Sequence, residues 1–197
     1  MSSRLPAHER REQLLEVALR VFAARGFHST SMNDVADTAG VTKPVLYQHF
    51  SSKRALYLEL LELVSRRLMA VIGEATSSAG GPRQQVERGL RAYFRFVVES
   101  RDEYQLMFGG GTRRDVEFAQ EATRLERSIA EIIASLIVVE GLGEHERLLL
   151  AHGVVGLAEG ATRHWVGDEL DLDADAVAAR VADLAWRGLR GIRSDPV

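Results

Sequence analysis

Residues Ser31–Lys53 read SMNDVADTAGVTKPVLYQHFSSK, and their turn chemistry calls for two short helices and the start of a third. Ser31, followed three residues later by Asp34, supplies an N-cap hydroxyl and a first-turn acid. Both are favoured by the unpaired amides and the dipole at a helix start. The spacing predicts a helix over Met32–Thr38 with Val35, Ala36 and Ala39 facing inward. Gly40 falls where the chain must turn sharply through a positive φ. Thr42 is the next expected N-cap, and Pro44 lies in the first helical turn, where a missing amide costs nothing. Ser52, just before Lys53, is placed to cap the helix after that.

The spacing of Ala36, Gly40 and Leu46 lets two helices cross closely at a steep angle. That is the geometry of a helix-turn-helix, whose second helix enters a DNA major groove. The outward face of this second helix carries Lys43, Val45, Tyr47, Gln48 and His49. Gln pairs bidentately with adenine, Lys reaches guanine or phosphate, and Val touches a thymine methyl. An ordinary helical hairpin with a polar surface is the competing reading of the same residues.

Gly26–Phe27, Ser31, Val35–Ala36, Ala39–Gly40–Val41, Leu46–Tyr47, His49–Phe50 and Ser52–Lys53 together resemble the DNA-binding signature of the TetR-family transcriptional regulators. The likeness covers residues 8–60 or so and combines turn chemistry with DNA contacts. It implies that the DNA-contacting set is Ser31, Asn33, Thr42, Lys43, Pro44, Val45, Tyr47, Gln48, His49 and Lys53. The chain departs from the pattern at Pro44–Val45, where many members have Gly-Thr, and at Gln48, where His or Tyr is frequent. These are operator-reading positions, so the departures bear on which sequence is read and not on the fold.

The 197 residues are 46% hydrophobic and 27% charged, which excludes a disordered tail and allows a helical core in two lobes. No apolar run is long enough to span a membrane, and the N-terminus lacks a signal-peptide core. A cytoplasmic location without a membrane partner is therefore expected. The absence of cysteine excludes disulfides, thiol nucleophiles and Cys-ligated metal. The net charge of −3 argues against nucleic-acid binding only when taken whole. Residues 1–55 hold eight Lys and Arg against five Asp and Glu, whereas the remainder is acidic. Both lysines of the chain, Lys43 and Lys53, fall in the quoted stretch. A positive face on an acidic body orients DNA binding and limits non-specific contact.

Outward from that stretch, apolar periodicity predicts a helix over His8–Arg25, stopped by Gly26, with Phe27 tucked against Phe22, Val35, Leu46 and Phe50. A long helix runs from Lys53 to about Ala75, and Thr76–Pro82 breaks it. Further helices are expected over Pro82–Ser100, Arg101–Phe108, about Arg113–Val139, Glu144–Val166 and about Ala174–Ile192. No stretch alternates as a strand does. The fold expected is all-α with about nine helices, matching the family plan. An N-terminal three-helix helix-turn-helix domain occupies residues 1–52, and a C-terminal ligand-binding and dimerisation bundle occupies residues 53–197.

In the second part, His152, Val155, Glu159 and Arg163 share one helical face, beside a strip containing Gly153, Gly156, Gly160 and His164. Each glycine costs helix stability by about 0.5–1 kcal/mol against alanine, and close helix approach is the natural reason to keep them. With Val181, Leu184 and Gly188 of the last helix, the resemblance implies a four-helix bundle between two copies. Tyr93, Phe94, Tyr104, Met107, Phe108, Phe118 and Trp165 are assigned to the second lobe, most simply as core. An apolar ligand cavity would draw on Tyr93, Phe94, Tyr104, Met107 and Phe108, with His152 and Glu159 as orienting groups. Interface salt bridges are the competing reading of His152, Glu159 and Arg163.

His145, His152, Glu159 and His164 lie at mixed helical phases, and no phosphate loop or nucleophile elbow is present. Neither catalysis, nor a metal, nor a cofactor is expected. The reading that emerges is a ligand-responsive repressor. It binds a palindromic double-stranded operator as a homodimer and is released by an apolar or amphipathic small molecule. A transcriptional activator, a non-catalytic helical adaptor and a small all-α enzyme are the alternatives.

Overall fold

A computed structural model describes residues 6–109, 115–139 and 141–191. The described residues form nine helices and no strand. These are α1 (Ala7–Arg25), α2 (Met32–Thr38), α3 (Lys43–His49), α4 (Lys53–Ser77), α5 (Pro82–Glu99), α6 (Arg101–Phe108), α7 (Val116–Leu136), α8 (Glu144–Gly167) and α9 (Ala174–Arg190). Local chemistry places most of their ends. Gly26 stops α1 at φ 76°, its amide donating to the Phe22 carbonyl at 2.8 Å. Pro82 opens α5. The Asp173 carboxylate accepts from the Ala176 amide at 2.8 Å and caps α9. At α7 the expected ends were too generous, since the helix stops at Leu136 and not Val139. The expected start at Arg113 and the expected end of α9 at Ile192 lie outside the described residues.

The chain divides into two compact units whose limits differ from a cut at residue 52. One comprises the described residues up to Ser65 together with those of Arg101–Ala122. Its core takes Leu14, Ala18 and Phe22 from α1, Val35 from α2, Leu46 from α3, Leu56 and Leu60 from α4, and Leu106 and Met107 from α6. Phe118, from the first turn of α7, completes it. Phe118 was assigned to the second lobe; its ring instead lies 4.7 Å from Phe27 and 4.5 Å from Tyr57. Phe22 closes the knot edge-on to Tyr57 at 5.1 Å. Helices α1–α3, two of them of seven residues, bury too little apolar surface to be stable alone, and large aromatic rings are the cheapest supplement, each contributing about 1.5–3 kcal/mol. Tyr104, Met107 and Phe108, also assigned to the second lobe, belong to this first unit as well.

The other unit comprises Arg66–Ser100 and the described residues from Thr123 onward. Here α5 packs on α9, and both meet α8. Leu90, Phe94 and Val97 of α5 face Ala178, Val181, Ala182 and Ala185 of α9 and Ala151, Val154, Ala158 and Trp165 of α8 as one buried set. The run of alanines keeps these helices close. Phe94 meets Trp165 at 5.9 Å and Tyr93 at 5.3 Å. At the rim, Arg95 donates to Asp175 through Nε at 2.8 Å and Nη2 at 2.7 Å, keeping that half-buried carboxyl below the usual carboxylate range.

Candidate nucleic-acid interface

The α2 start is a complete capping box. Ser31 Oγ accepts from the Asp34 amide at 3.2 Å, and Asp34 Oδ2 accepts from the Ser31 amide at 2.7 Å. The Ser31 hydroxyl, donating to Asp34 Oδ2 at 2.5 Å, and then the Ser31 amide, with Arg25 at 3.2 Å, hold the half-buried Asp34 carboxyl below its ordinary range. After α2 the chain reverses at Gly40, φ 65°, and the Val41 amide donates to the Ala36 carbonyl at 3.0 Å. A Cβ at Gly40 would meet nothing within 4 Å, so the backbone angle, not crowding, asks for glycine. Thr42 stands at the N-cap of α3 in extended conformation, yet its hydroxyl makes no capping bond. Pro44 has removed one amide that would use it, and the Val45 amide donates to the Thr42 backbone carbonyl at 3.0 Å. The hydroxyl is left facing outward.

In α3, Leu46 is fully buried and pins the helix to the core. The exposed residues are then Lys43, Pro44, Tyr47 and Gln48, which repeat at i, i+1, i+4 and i+5 and so form one face. Tyr47 is 44% exposed, with the Lys43 ammonium 6.0 Å from its ring centre. Val45 and His49, expected on that face, are half-buried at its flank. Ser31 and Asn33 are exposed at the start of α2. An open groove of about 460 Å³ separates them from α3, lined by His28–Asp34, Lys43, Tyr47 and Lys53. His28, Ser29 and Thr30 were absent from the expected site. They precede the cap and carry no helical signal, so only the fold brings them beside α3.

Lys53, expected among the DNA-contacting residues, makes contacts within its own unit. Its ammonium donates to the carbonyls of Phe27 at 2.9 Å and Thr30 at 2.8 Å and sits 4.2 Å from the Phe27 ring centre. Ser52 caps α4 as expected, accepting from the Ala55 amide at 3.0 Å. Around this site two arginines of the neighbouring helices are engaged within the unit. Arg11 pairs with Glu59 at 2.7 Å and lies 4.8 Å from the Phe50 ring. Arg54 bridges to Asp115 at 3.0 Å and to Glu117, over the Phe118 ring.

The residues singled out in the second part are spread over both units. Tyr104, Met107 and Phe108 lie in the first unit, with Tyr104 against Phe108 at 5.2 Å. Tyr93, Phe94, His152 and Glu159 lie in the second. Tyr93 and Phe94 are buried, His152 is exposed, and Glu159 is half-buried with Arg163 at 3.4 Å. Gly153, Gly156, His164 and Gly188 are exposed, and Gly160 is half-buried. Leu149 and Leu184 are 72% and 60% exposed, whereas Val181 belongs to the unit's own core. A Cβ added at Gly153, Gly156 or Gly188 would meet nothing within 4 Å. The glycine strip is thus uncovered within the protomer. Among the described residues no three acidic or histidine side chains gather as metal ligands, and no helix is long and apolar enough to cross a membrane.

This geometry coincides with what known proteins share with the chain. Residues 14–60 match the sequence model for bacterial regulatory proteins of the tetR family, and residues 82–188 match that for a tetracyclin repressor-like C-terminal domain. The HTH-type transcriptional activator FasR of Mycolicibacterium smegmatis is 34% identical over 95% of this chain and 86% of its own length. The HTH-type transcriptional repressor KstR2 of Mycobacterium tuberculosis is 27% identical over 94% of this chain and 82% of its own. A TetR-like transcriptional regulator from Rhodococcus sp. RHA1 superposes with a TM-score of 0.79 at 30% identity, covering 96% of this chain and 100% of that one. With both family models matched and a relative 34% identical over 95% of this chain, the chain belongs to the TetR family and is a DNA-binding transcriptional regulator.

Proposed function

We propose that the protein is a ligand-responsive repressor that binds a palindromic operator as a homodimer. The observation that carries this reading is the single exposed face of α3, in which Lys43, Pro44, Tyr47 and Gln48 stand clear of a helix pinned by buried Leu46. In the major groove Gln48 reads adenine, Lys43 takes guanine or a phosphate, and Tyr47 donates its hydroxyl to the backbone. Two such helices about 34–36 Å apart read successive grooves, which calls for a two-fold dimer. Support for that dimer comes from the uncovered strip on α8 and α9, where exposed Leu149 and Leu184 flank Gly153, Gly156 and Gly188. An apolar or amphipathic effector releases the operator by binding better to a conformation that DNA does not select. The reading includes no catalytic step and places the protein with the DNA in the cytoplasm. Activation is the second reading, favoured by the 34% identity to a protein named as an activator.

Selection of random duplexes on the pure protein, followed by transcription in vitro from a promoter carrying the selected site, tests this. A palindromic site and a fall in transcript support repression; a rise supports activation. For the dimer, Gly156→Leu adds a side chain where the protomer has room, so the variant folds but sediments as a monomer and binds the site poorly. A dimer of unchanged affinity would place the strip elsewhere.

A further inference from the structure

Lys53 is the first residue of α4, the end of a helix least suited to a cation. Something must offset that placement, and the structure holds it in two carbonyls. The Lys53 ammonium donates to the Phe27 oxygen at 2.9 Å and the Thr30 oxygen at 2.8 Å, with the Phe27 ring face 4.2 Å away. An ammonium has three donors, so at most one N–H remains for anything else. The same turn is tied from within, since Thr30 Oγ1 donates to the Gly26 carbonyl at 2.8 Å and the Thr30 amide to the Phe27 carbonyl at 3.4 Å. Ser31, the cap of α2, follows directly. On the other side of Lys53, Ser52 and buried Phe50 lead straight back to α3. One ammonium therefore joins the start of α2 to the end of α3, across the groove lined by Asn33, Lys43 and Tyr47.

We infer that Lys53 is a positioning residue for DNA binding, which sets the separation of Asn33 on α2 from Lys43 and Tyr47 on α3 rather than neutralising a phosphate itself. Its removal lets the groove walls shift, so fewer molecules present both walls in register. Apparent affinity for the cognate site falls by the lost competent fraction. Binding to random DNA, which needs charge and not register, is untouched.

The test uses Lys53→Met, which keeps the stem and removes the donors, in the 197-residue chain. Dissociation constants are measured over a salt series on a duplex selected by the wild-type protein and on a scrambled duplex of the same length. Specific affinity is expected to fall about ten- to a hundredfold, as for loss of charge-assisted hydrogen bonds. The log–log salt slope and the scrambled-duplex affinity stay at wild-type values. A slope shallower by about one unit on both duplexes would make Lys53 a phosphate contact and overturn the inference. Equal weakening on both duplexes at unchanged slope would reduce it to general stability and overturn it as well, as would unchanged specific affinity. Thr30→Val serves if Lys53→Met does not fold. Thr30 is only 2% exposed and cannot meet DNA, yet loosening the same turn is expected to lower specific affinity several-fold at unchanged slope. No loss in that variant would show that the turn's position is immaterial. Wild-type discrimination between the two duplexes stands apart from either variant, so failure of the DNA-binding reading itself would be visible separately.

Discussion

The α2–α3 hairpin and the α5–α8–α9 assembly are both helical, yet they are specified in opposite ways. The hairpin is held by contacts of short sequence range, such as the Ser31–Asp34 box, the Gly40 turn and the Val41 amide on the Ala36 carbonyl. The assembly is held by contacts of long range. Arg95 reaches Asp175, Tyr93 meets Thr162 at 3.4 Å, and Phe94 packs on Trp165. Short-range chemistry shapes the surface, whereas long-range packing decides what the surface is mounted on. The first unit shows where the two meet, because Phe27 and Tyr57, which flank the hairpin in the chain, both pack on the distant Phe118.

The comparison breaks most visibly at that junction. Phe118→Ala empties a fully buried ring site shared with Phe27 and Tyr57 and is expected to cost about 3–5 kcal/mol, read as a lowered urea midpoint. An unchanged midpoint would mean that the head is stable without α7. On the surface of the hairpin the expected effects are smaller and concern DNA. Gln48→Ala should cost about 1–3 kcal/mol at one base position and relax preference there, measured by affinities for a set of single-base variants of the selected site. Lys43→Ala should weaken all sequences alike and flatten the salt slope by about one unit if its partner is phosphate.

Two caps sharpen the contrast within the hairpin itself. Ser31→Ala removes a cap that is made and should cost about 1 kcal/mol near neutral pH. Because Ser31 holds the Asp34 carboxyl below its ordinary range, that bonded arrangement stabilises the fold above the unfolded carboxyl's pKa and is lost as pH falls through the folded one. The difference between wild type and Ser31→Ala should therefore shrink in acid, which urea unfolding at a series of pH values will record. Thr42→Ala removes a cap that is not made and should change stability by less than about 0.5 kcal/mol. A larger loss would show that the hydroxyl does cap α3 in solution.

Much of this was legible in the residues. Met32–Thr38 and Arg101–Phe108 begin and end where capping, glycine and periodicity place them, and Ser52 caps α4 as its position suggests. The outward face of α3 was legible in part. Its period placed Lys43, Tyr47 and Gln48, but a seven-residue helix is too short for periodicity to tell a face from its flank, and Val45 and His49 are half-buried. The groove partners His28, Ser29 and Thr30 left no trace, because a connection without a period advertises nothing about its neighbours.

Local amino-acid chemistry by itself determined that the described residues fold as helices, where most of those helices stop, and that α2 and α3 form a hairpin with a polar face, because capping and turn conformations depend on residues within four or five positions of one another. The tertiary structure alone decided that Phe118 and α6 belong with the DNA-binding helices, and that the Lys53 ammonium turns to Phe27 and Thr30. Apolar periodicity states that a face must be buried but not against what, and a lysine's charge states that it needs acceptors but not whose.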